Sequence, residues 1–415
     1  MALSLDELRA AWPGEFLAGK NWLMSPEPLR LDAGEVRELE RMGPVLASFQ
    51  SAQDRIYRRS AKGKVAPWLA NLLDAGKPSW MTDWQKEGAQ AEVVPRVIRP
   101  DLLLTEEGFS ITELDSVPGG MGITAWLGSV YPDALGGPSG MLDGFGGILP
   151  QDATIWVSEE SADYRPEMVW LAERLGKMEV GRAEEWSGEP GYRFFELFDW
   201  ESIPSLHTSS AKAGLTPPIK PLFEEKLWLS LLWTPGLRRL WEEEMRGKHL
   251  ELLRKWIPRG WVLDPEPLPP HAAIPGLEVN SWAEVGQMSQ RDRRLVLKVS
   301  GFSERAWGSR GVHIGHDEPG DRWASLIEEA LKDHDRQPWM MQRFSEAKLI
   351  EHPYFDKETG SVRMMTGRAR LCPYYFLGDS GVQLGGCLAT IVPADKKKIH
   401  GMEDAILVPV ARQED

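Results

Sequence analysis

The chain has very little cysteine, with only Cys372 and Cys387 among its 415 residues. Both lie in apolar, strand-like segments, so buried free thiols are expected and a disulfide framework is not. Histidine is also sparse. None of the eight histidines, including His313, His316 and His400, is spaced from another histidine or a cysteine as a metal ligand would be. The sequence therefore predicts neither a zinc nor an iron site.

Long apolar runs are also missing, and none approaches the length of a membrane span. The opening stretch MALSLDELRAAWPGEF is amphipathic and acidic, without the apolar centre of a signal peptide. The formal net charge of −14 disfavours nucleic acid as a partner, because phosphate backbones are bound by basic faces. Nucleotides are not excluded, since a few well-placed cations are enough to bind them. We expect a cytoplasmic protein that binds neither nucleic acid nor membranes.

Length and composition indicate a globular protein with more than one core, at 42% hydrophobic and 27% charged residues. Apolar residues at helical spacing predict a helical N-terminal region over 1–94. Residues 95–150 hold an acidic hairpin and then the Gly- and Pro-rich stretch PDALGGPSGMLDGFGG. We interpret that stretch as a loop, which is either a linker or a mobile cover over a site.

The rest of the chain mixes helices and strands, so the fold class is α+β or α/β. Strand and helix patterns alternate over 151–220 and predict a small doubly wound α/β lobe. Residues 221–345 begin with helices and continue with a strand, a Gly/Ser-rich loop and further strands. Residues 346–415 alternate strand and turn, which is typical of an antiparallel sheet.

The stretch RPDLLLTEEGFSITELD predicts a hairpin whose strands carry three acids, Asp101, Glu113 and Asp115. In an acidic chain such carboxylates are often simply solvated. Glu113 and Asp115 are two apart, however, so they point to the same face of a strand, and Asp101 can join them through the turn. Carboxylates this close repel each other unless a cation lies between them, and an oxygen-only set suits Mg²⁺. The hairpin therefore predicts a magnesium site for a nucleotide.

A second set of candidates lies around Lys298, which ends the apolar run LVL and precedes the loop VSGFSERAWGSRGV. A lysine there can reach nucleotide phosphates while backbone N–H groups of the loop close over them. The alternative is a lysine at a strand end that points into water. The strand WMMQRF can frame adenine, with Gln342 supplying hydrogen bonds, although Met340 and Met341 taken singly are typical of a core.

Four arginines are less specific candidates. Arg305 and Arg310, in the Gly/Ser-rich loop, either bind phosphate or contact solvent. Arg368 and Arg370 alternate along TGRARL, so they share one face of a strand, which either faces a nucleotide or does not.

Several of these segments resemble one family. RPD and ELD, with Pro-Gly soon after, are similar to the Arg-x-Asp and Glu-x-Asn motifs of glutathionylspermidine synthetase and its relatives. EEKLWLSLLW, LVLKVSGFSERAWGSRGV and WMMQRF resemble that family's lysine helix, its second lysine with the phosphate loop, and its glutamine-bearing hinge strand. The resemblance spans residues 95–410, in the family's order.

The resemblance implies an ATP-grasp fold with circularly permuted order, in which the metal-binding hairpin precedes the lysine-bearing part. The lobe at 151–220 would lie on the substrate side. The implied activity is an ATP- and Mg²⁺-dependent ligase that joins a small-molecule carboxylate, peptide-like in this family, to an amine through an acyl phosphate. The residues it implies are Asp101, Glu113 and Asp115 for Mg²⁺, Arg99 for catalysis, and Lys226, Lys298, Ser300, Gly301, Gly308, Ser309, Gly311 and Gln342 for ATP.

The chain departs from the family in three ways. Asp115 stands where the family has Asn, which adds a negative charge to the metal site. Residues 1–90 contain neither cysteine nor histidine, so the upstream amidase of bifunctional members is not expected there. SVPGGMG replaces a Thr/Ser-rich stretch, so glutathionylspermidine is a poor expectation for the product. A non-catalytic ATP-binding scaffold and a kinase that forms a stable acyl phosphate are the alternative hypotheses.

Overall fold

The computed structural model describes residues 2–17, 21–150, 152–176, 178–269, 271–306, 308, 310–397, 399 and 404–414. Its α-helices are α1 (Leu5–Ala10), α2 (Ala33–Ala61), α3 (Pro67–Asp74), α4 (Ser79–Lys86), α5 (Met121–Val130), α6 (Gly140–Ile148), α7 (Arg165–Arg174), α8 (Pro204–Thr208), α9 (Leu227–Leu231), α10 (Arg238–Glu244), α11 (Gly247–Trp256), α12 (Trp282–Gly286) and α13 (Gly320–Lys332). Its strands are β1 (Leu29–Leu31), β2 (Val97–Thr105), β3 (Gly108–Asp115), β4 (Thr154–Val157), β5 (Val180–Arg182), β6 (Gly191–Phe194), β7 (Leu215–Thr216), β8 (Gly260–Val262), β9 (Leu295–Val299), β10 (Val312–Ile314), β11 (Trp339–Arg343), β12 (Leu349–Phe355), β13 (Val362–Gly378), β14 (Gly381–Pro393) and β15 (Ile406–Arg412).

Helices and strands form a mixed α/β protein with two compact units. The first unit comprises Met1–Ser48, Val94–Ile219 and Glu346–Asp415. The second unit comprises Phe49–Val93 and Lys220–Ser345. Both units are therefore assembled from segments that are distant in sequence.

A seven-stranded sheet, in the order β1-β15-β14-β13-β2-β3 with β12 paired to β13, forms the first unit's framework. The antiparallel hairpin of β13 and β14 confirms the strand-and-turn pattern predicted for the end of the chain. Strand β1 lies in the N-terminal region that we predicted to be helical, and it pairs in parallel with β15. A strand of three residues is too short for its side-chain alternation to be recognised in the sequence. It forms because β15 completes its backbone hydrogen bonds.

The interpretation of the Gly-rich stretch after α5 as a loop is wrong in part, because residues of this stretch form helix α6. Its glycines allow close packing on the large sheet. A Cβ atom on Gly144 would lie 2.2 Å from a ring carbon of Phe376, and one on Gly140 would lie 2.6 Å from the carbonyl oxygen of Gly385. Glycine is disfavoured inside helices, but here the absence of a side chain lets a helix backbone approach a strand.

The first unit also contains a four-stranded parallel sheet in the order β5-β4-β6-β7. Helix α7 connects β4 to β5, and a parallel sheet of this order is typical of doubly wound lobes. Residues from both sheets of the unit share one apolar core, which includes Ile155, Tyr192 and Tyr374. The cysteines Cys372 and Cys387 are buried free thiols, as the sequence predicted.

The second unit is built around a four-stranded antiparallel sheet in the order β10-β9-β11-β8. Leu295, Leu297 and Val299 of β9 point into an apolar core that also holds Met341. Side chains alternate along a strand, so Lys298 points to the opposite face of the sheet. Within the described residues, no helix has the length and apolar character needed to cross a membrane.

Candidate functional site

The acidic hairpin forms as the sequence predicts, and its register brings the candidate residues side by side. Asp101 of β2 lies directly opposite Glu113 of β3, and Arg99 lies opposite Asp115. Residues paired across antiparallel strands point to the same face, so all four side chains project from one side of the hairpin. The three carboxylates and the arginine named from the sequence therefore share one face.

A β-bulge in this hairpin separates the apolar residues from the acids. Asp101 faces Glu113 but Leu102 faces Ile111, so Thr112 is an extra residue on β3, and its hydroxyl donates to the Asp101 carbonyl oxygen at 3.1 Å. Without the bulge, Ile111 and Glu113 would point the same way. The extra residue turns Ile111 into the apolar interior and leaves Glu113 on the polar face.

Arg99 occupies the position between the carboxylates. Its Nη2 atom lies 3.0 Å from Asp101 Oδ1 and 3.0 Å from Asp115 Oδ2. A cation between the acids was expected from their mutual repulsion, and in this structure that cation is a guanidinium. A second guanidinium approaches from β13, where Arg370 Nη1 lies 3.0 Å from Asp101 Oδ2. Asp101 is thus held between two arginines.

Arg370 was a sequence candidate only because it alternates with Arg368, and the structure separates their roles. Arg370 contacts Asp101, whereas Arg368 Nε donates to the Ala347 carbonyl oxygen at 3.1 Å and Nη2 lies 3.5 Å from Glu346. Arg368 therefore fixes neighbouring backbone, and Arg370 belongs to the acidic site.

Cys372 also belongs to this face, and its thiol donates to Asp101 Oδ1 at 3.4 Å. Burial raises the pKa of Cys372 to about 12, and the nearby Asp101 charge adds to the effect. The thiol is therefore protonated at neutral pH and acts as a weak hydrogen-bond donor.

Burial and closely spaced charges shift the pKa values of the site residues. Burial raises the pKa of Asp115, the Arg99 guanidinium opposes this rise, and the charges of Glu113 and Asp101 add to it. Burial alone would lower the pKa of Arg99, but Asp101 and Asp115 hold it well above its usual range. The three carboxylates therefore repel one another, and the positive charge of Arg99 offsets part of that repulsion.

The Pro-Gly-Gly turn after the hairpin packs directly against the site. The Gly119 carbonyl oxygen accepts hydrogen bonds from Tyr374 Oη at 2.6 Å and from Arg99 Nη1 at 3.3 Å. A Cβ atom on Gly119 would lie 2.3 Å from the Tyr164 ring, and Gly120 has a φ of +84°. These positions need glycine because the backbone passes between aromatic rings and turns into α5.

The arginine donors of this face suit an anion bound beside a metal ion. The carboxylates, however, are not arranged as a metal-binding cluster in the described residues. Among the described residues, no group of three or more His, Cys, Asp or Glu side chains is gathered so as to hold a metal ion. The Nε atoms of Arg99 and Arg370 are buried and have no hydrogen-bond partner in the described part of the chain. Buried unpaired donors are costly, and an anionic ligand would satisfy them.

The candidate nucleotide residues of the second unit cluster on one face of its sheet. Lys298 lies opposite Met340, and its Nζ atom is 3.1 Å from Gln342 Oε1. Both side chains are buried, and both point away from the apolar core that Met341 enters. The structure thus brings together the lysine and the glutamine that the sequence assigned to phosphate and adenine.

Lys226, just before α9, reaches the Gly/Ser-rich loop and donates from Nζ to the Ala306 carbonyl oxygen at 2.7 Å. The loop begins at Ser300, whose hydroxyl accepts from Leu227 N at 3.0 Å and donates to Glu225. Both lysines are therefore close to the same loop. Glu225 was missed by sequence reasoning, although it directly precedes Lys226.

The loop's glycines allow tight backbone packing. A Cβ atom on Gly301 would lie 2.3 Å from the Glu224 carbonyl oxygen, and one on Gly311 would lie 2.6 Å from the Arg305 carbonyl oxygen. Gly308 has a φ of +61°. The predicted contact Ser309 lies outside the described residues, as does His400.

Charged residues near the loop have partners within the second unit. Arg305 Nη2 lies 2.9 Å from Glu329, and its guanidinium lies over the Trp339 ring at 4.8 Å. His313 Nδ1 lies 3.1 Å from Glu318. Arg310 is exposed at the end of the loop.

The second unit also has an open cleft of about 1100 Å³, lined in part by Gly260, Trp261 and Val262 of β8. Four tryptophans, Trp68, Trp233, Trp261 and Trp282, are among its lining residues, and among the described residues none of the predicted ATP contacts lines it. The cleft is therefore separate from the face that carries Lys298 and Gln342.

No protein family model and no curated protein matches the chain. Among solved structures, it is similar to a glutathione synthetase-like effector from Globodera pallida in its apo form, with 12% identity, a TM-score of 0.48, and 94% of this chain and 90% of that chain covered. It is also similar to a candidate gamma-glutamylcysteine synthetase from Methylobacillus flagellatus, with 13% identity, a TM-score of 0.39, and 87% and 84% of the two chains covered. Similarities this low leave the function to be argued from the site.

Proposed function

We propose that the protein is an ATP- and Mg²⁺-dependent ligase that joins a small-molecule carboxylate to an amine through an acyl phosphate. The observation that carries the proposal is the polar face of the hairpin, where Arg99, Asp101, Glu113 and Asp115 lie in two directly opposed pairs. Surface acids do not need a partly buried arginine between them. A phosphoryl-transfer site does need carboxylates for a metal next to a cation for the transferred group.

In this proposal Asp101, Glu113 and Asp115 hold Mg²⁺, which when bound neutralises phosphate oxygens. Burial, together with the charges of Glu113 and Asp101, raises the pKa of Asp115, and a divalent cation would relieve the cost of keeping these carboxylates ionised. Arg99 exchanges its carboxylate contacts for the anion, and its unpaired Nε provides a further donor. Arg370 orients Asp101 and supplies a second guanidinium for the substrate carboxylate or the acyl phosphate.

The second unit supplies the nucleotide contacts in this proposal. Lys226 and Lys298 bind phosphate oxygens, the loop from Ser300 to Gly311 covers them, and Gln342 contacts adenine. Support comes from the short distances that link Lys298 to Gln342 and Lys226 to the loop. The fold would then be an ATP-grasp with the hairpin before the lysines, a circular permutation.

The proposed segments keep the order inferred from the sequence. Residues 1–94 pack on the core, 95–150 carry the metal-binding hairpin, and 151–220 form the substrate-side lobe. Residues 221–345 carry the lysines and the phosphate loop, and 346–415 complete the core sheet.

A non-catalytic ATP-binding protein is the second candidate, and one observation favours it. Arg99 already bridges Asp101 and Asp115, so these carboxylates are stabilised without a metal. A scaffold that had lost its metal would be expected to keep such an ion pair. The two candidates therefore differ in whether Mg²⁺ changes nucleotide binding.

The deciding experiment is calorimetry with a non-hydrolysable ATP analogue, with and without Mg²⁺. The parent should bind more tightly with Mg²⁺, and Glu113→Ala should lose at least about tenfold of that gain, since each carboxylate ligand contributes to holding the metal. Glu107→Ala is the matched control, because Glu107 is an exposed acid at the tip of the same hairpin. Nucleotide binding with the same affinity in the presence and absence of Mg²⁺ would favour the non-catalytic scaffold.

A second assay separates the ligase from a kinase. The parent is incubated with ATP, Mg²⁺ and a panel of carboxylates, each with and without amines, and ADP release is recorded. A ligase releases ADP continuously only when both acid and amine are present. Release that needs the acid alone, with a stable acyl phosphate as product, would identify a kinase.

A further inference from the structure

A buried ion pair lies beside the phosphate loop of the second unit and takes no part in the ATP contacts proposed above. Lys77 Nζ is 2.5 Å from Glu225 Oε1, and each side chain is 1% exposed. Removing two charges from water costs free energy. Replacing a buried ion pair by apolar side chains of similar size often leaves a protein equally stable. This pair therefore calls for a role other than stability.

Glu225 connects the pair to the loop. Its second carboxylate oxygen, Oε2, accepts a hydrogen bond from the Ser300 hydroxyl, and that hydroxyl accepts one from Leu227 N at 3.0 Å. Ser300 is completely buried. One hydroxyl thus ties the end of β9 to the start of α9, so it is already satisfied as both donor and acceptor.

The residues next to Ser300 are held by backbone contacts as well. Gln337 Nε2 donates to the Gly301 carbonyl oxygen at 2.7 Å, and Ser300 N donates to the Pro338 carbonyl oxygen at 3.1 Å. Lys77 Nζ also lies 5.6 Å from the centre of the Phe302 ring. The first residues of the loop are therefore contacted by several groups, which include Lys77 and Glu225.

We propose that Lys77 and Glu225 are positioning residues that fix the start of the phosphate loop through the Ser300 hydroxyl. Glu225 immediately precedes Lys226, so the same carboxylate sets the loop and the phosphate-binding lysine relative to each other. Lys77 neutralises Glu225, which would otherwise place an uncompensated negative charge beside the phosphates. The inference rests on the proposed function for what the loop binds, and on the contacts alone for how the loop is held.

The test compares Ser300→Ala with Ser230→Ala, a matched loss of one hydroxyl. Ser230 is also fully buried in the second unit, but its hydroxyl donates to the Met341 carbonyl oxygen at 3.4 Å and does not contact the loop. Backbone hydrogen exchange of residues 300–306 and of Leu227 is measured without nucleotide. Affinity for the ATP analogue with Mg²⁺ is measured separately, and thermal unfolding shows that both variants fold.

Ser300→Ala should speed exchange in residues 300–306 and at Leu227 by about tenfold and weaken nucleotide binding by about tenfold. Ser230→Ala should change neither by more than about twofold. Glu225→Gln, combined with Lys77→Met to keep the pair neutral, still offers Ser300 an acceptor and should retain most of the protection.

Equal exchange in the two serine variants would overturn the positioning role, whatever the nucleotide result. Faster exchange in Ser300→Ala together with unchanged nucleotide affinity would also overturn it, because the loop would then not need positioning. If the parent binds no nucleotide, the proposed function fails. The exchange comparison still decides in that case whether the Ser300 hydroxyl, and the Glu225 carboxylate that accepts from it, hold the start of the loop.

Discussion

Arg99 and Asp115 lie opposite each other on neighbouring strands, with Arg99 Nη2 3.0 Å from Asp115 Oδ2. The same nitrogen lies 3.0 Å from Asp101 Oδ1, so one guanidinium joins the two strands. Its Nε atom is buried without a partner in the described residues. Arg99 is thus partly satisfied, which leaves it a donor for the ligand of the proposed function.

Replacement of Arg99 by Met should abolish most ligase activity while leaving nucleotide binding largely intact. Removal of one donor aimed at developing charge typically costs about 100- to 1000-fold in kcat. The measurement is ADP release at saturating ATP, with the calorimetric affinity recorded alongside. Arg96→Met is the control, because Arg96 lies just before the same strand and pairs with the exposed Asp379. Equal activity in both variants would remove Arg99 from the mechanism.

Asp115→Asn should stabilise the protein at neutral pH. Burial raises the folded-state pKa of Asp115, so the carboxyl favours folding when protonated, and that contribution is lost as pH rises through the raised pKa. The variant should therefore exceed the parent in unfolding free energy at pH 7, and the gap should close as the pH falls through the raised pKa of Asp115. Urea unfolding across this range provides the measurement. A constant or reversed gap would show that the Arg99 contact outweighs burial.

His352 should make the first unit sensitive to acid. Burial lowers the pKa of this histidine from 6.5 to about 4, against a hydrogen bond from the ring to the backbone carbonyl oxygen of Glu27, which raises it. A depressed histidine pKa contributes stability above the unfolded pKa that is lost as pH falls from about 6.5 to about 4. The parent should lose about 2 to 3 kcal/mol over that window from this group.

The variant His352→Gln tests this loss, with exposed His271→Gln as the control. His352→Gln should flatten the pH dependence of the unfolding free energy between pH 6.5 and 4, and His271→Gln should leave the parent slope unchanged. Parallel slopes in all three proteins would contradict the assignment.

Two glycines of helix α6 should respond in opposite directions to alanine. Gly144→Ala should destabilise by about 1 to 3 kcal/mol, because its Cβ would overlap the Phe376 ring. Gly147→Ala, where a Cβ meets nothing within 4 Å, should stabilise by about 0.5 to 1 kcal/mol through helix propensity. Urea midpoints of the two variants give the comparison. Stabilisation by both would mean that α6 does not pack on the sheet.

Local patterns were sufficient to predict much of the site. The apolar runs around the turn predicted the hairpin, and the two-residue spacing of Glu113 and Asp115 predicted their common face. The strands that carry Lys298 and Gln342 were also predicted, as were the free thiols. These features depend on side-chain alternation and local turn chemistry, which are written in consecutive residues.

Tertiary structure decided the remaining contacts. Arg370 reaches Asp101 across 269 positions of sequence, and Lys77 reaches Glu225 across 148. The bulge at Thr112 and the close packing of α6 likewise depend on which strand lies alongside. A glycine in the sequence does not by itself indicate a turn or a close approach of two backbones, because the missing side chain permits either. Likewise a buried charge requires a partner, and only the folded chain brings that partner near.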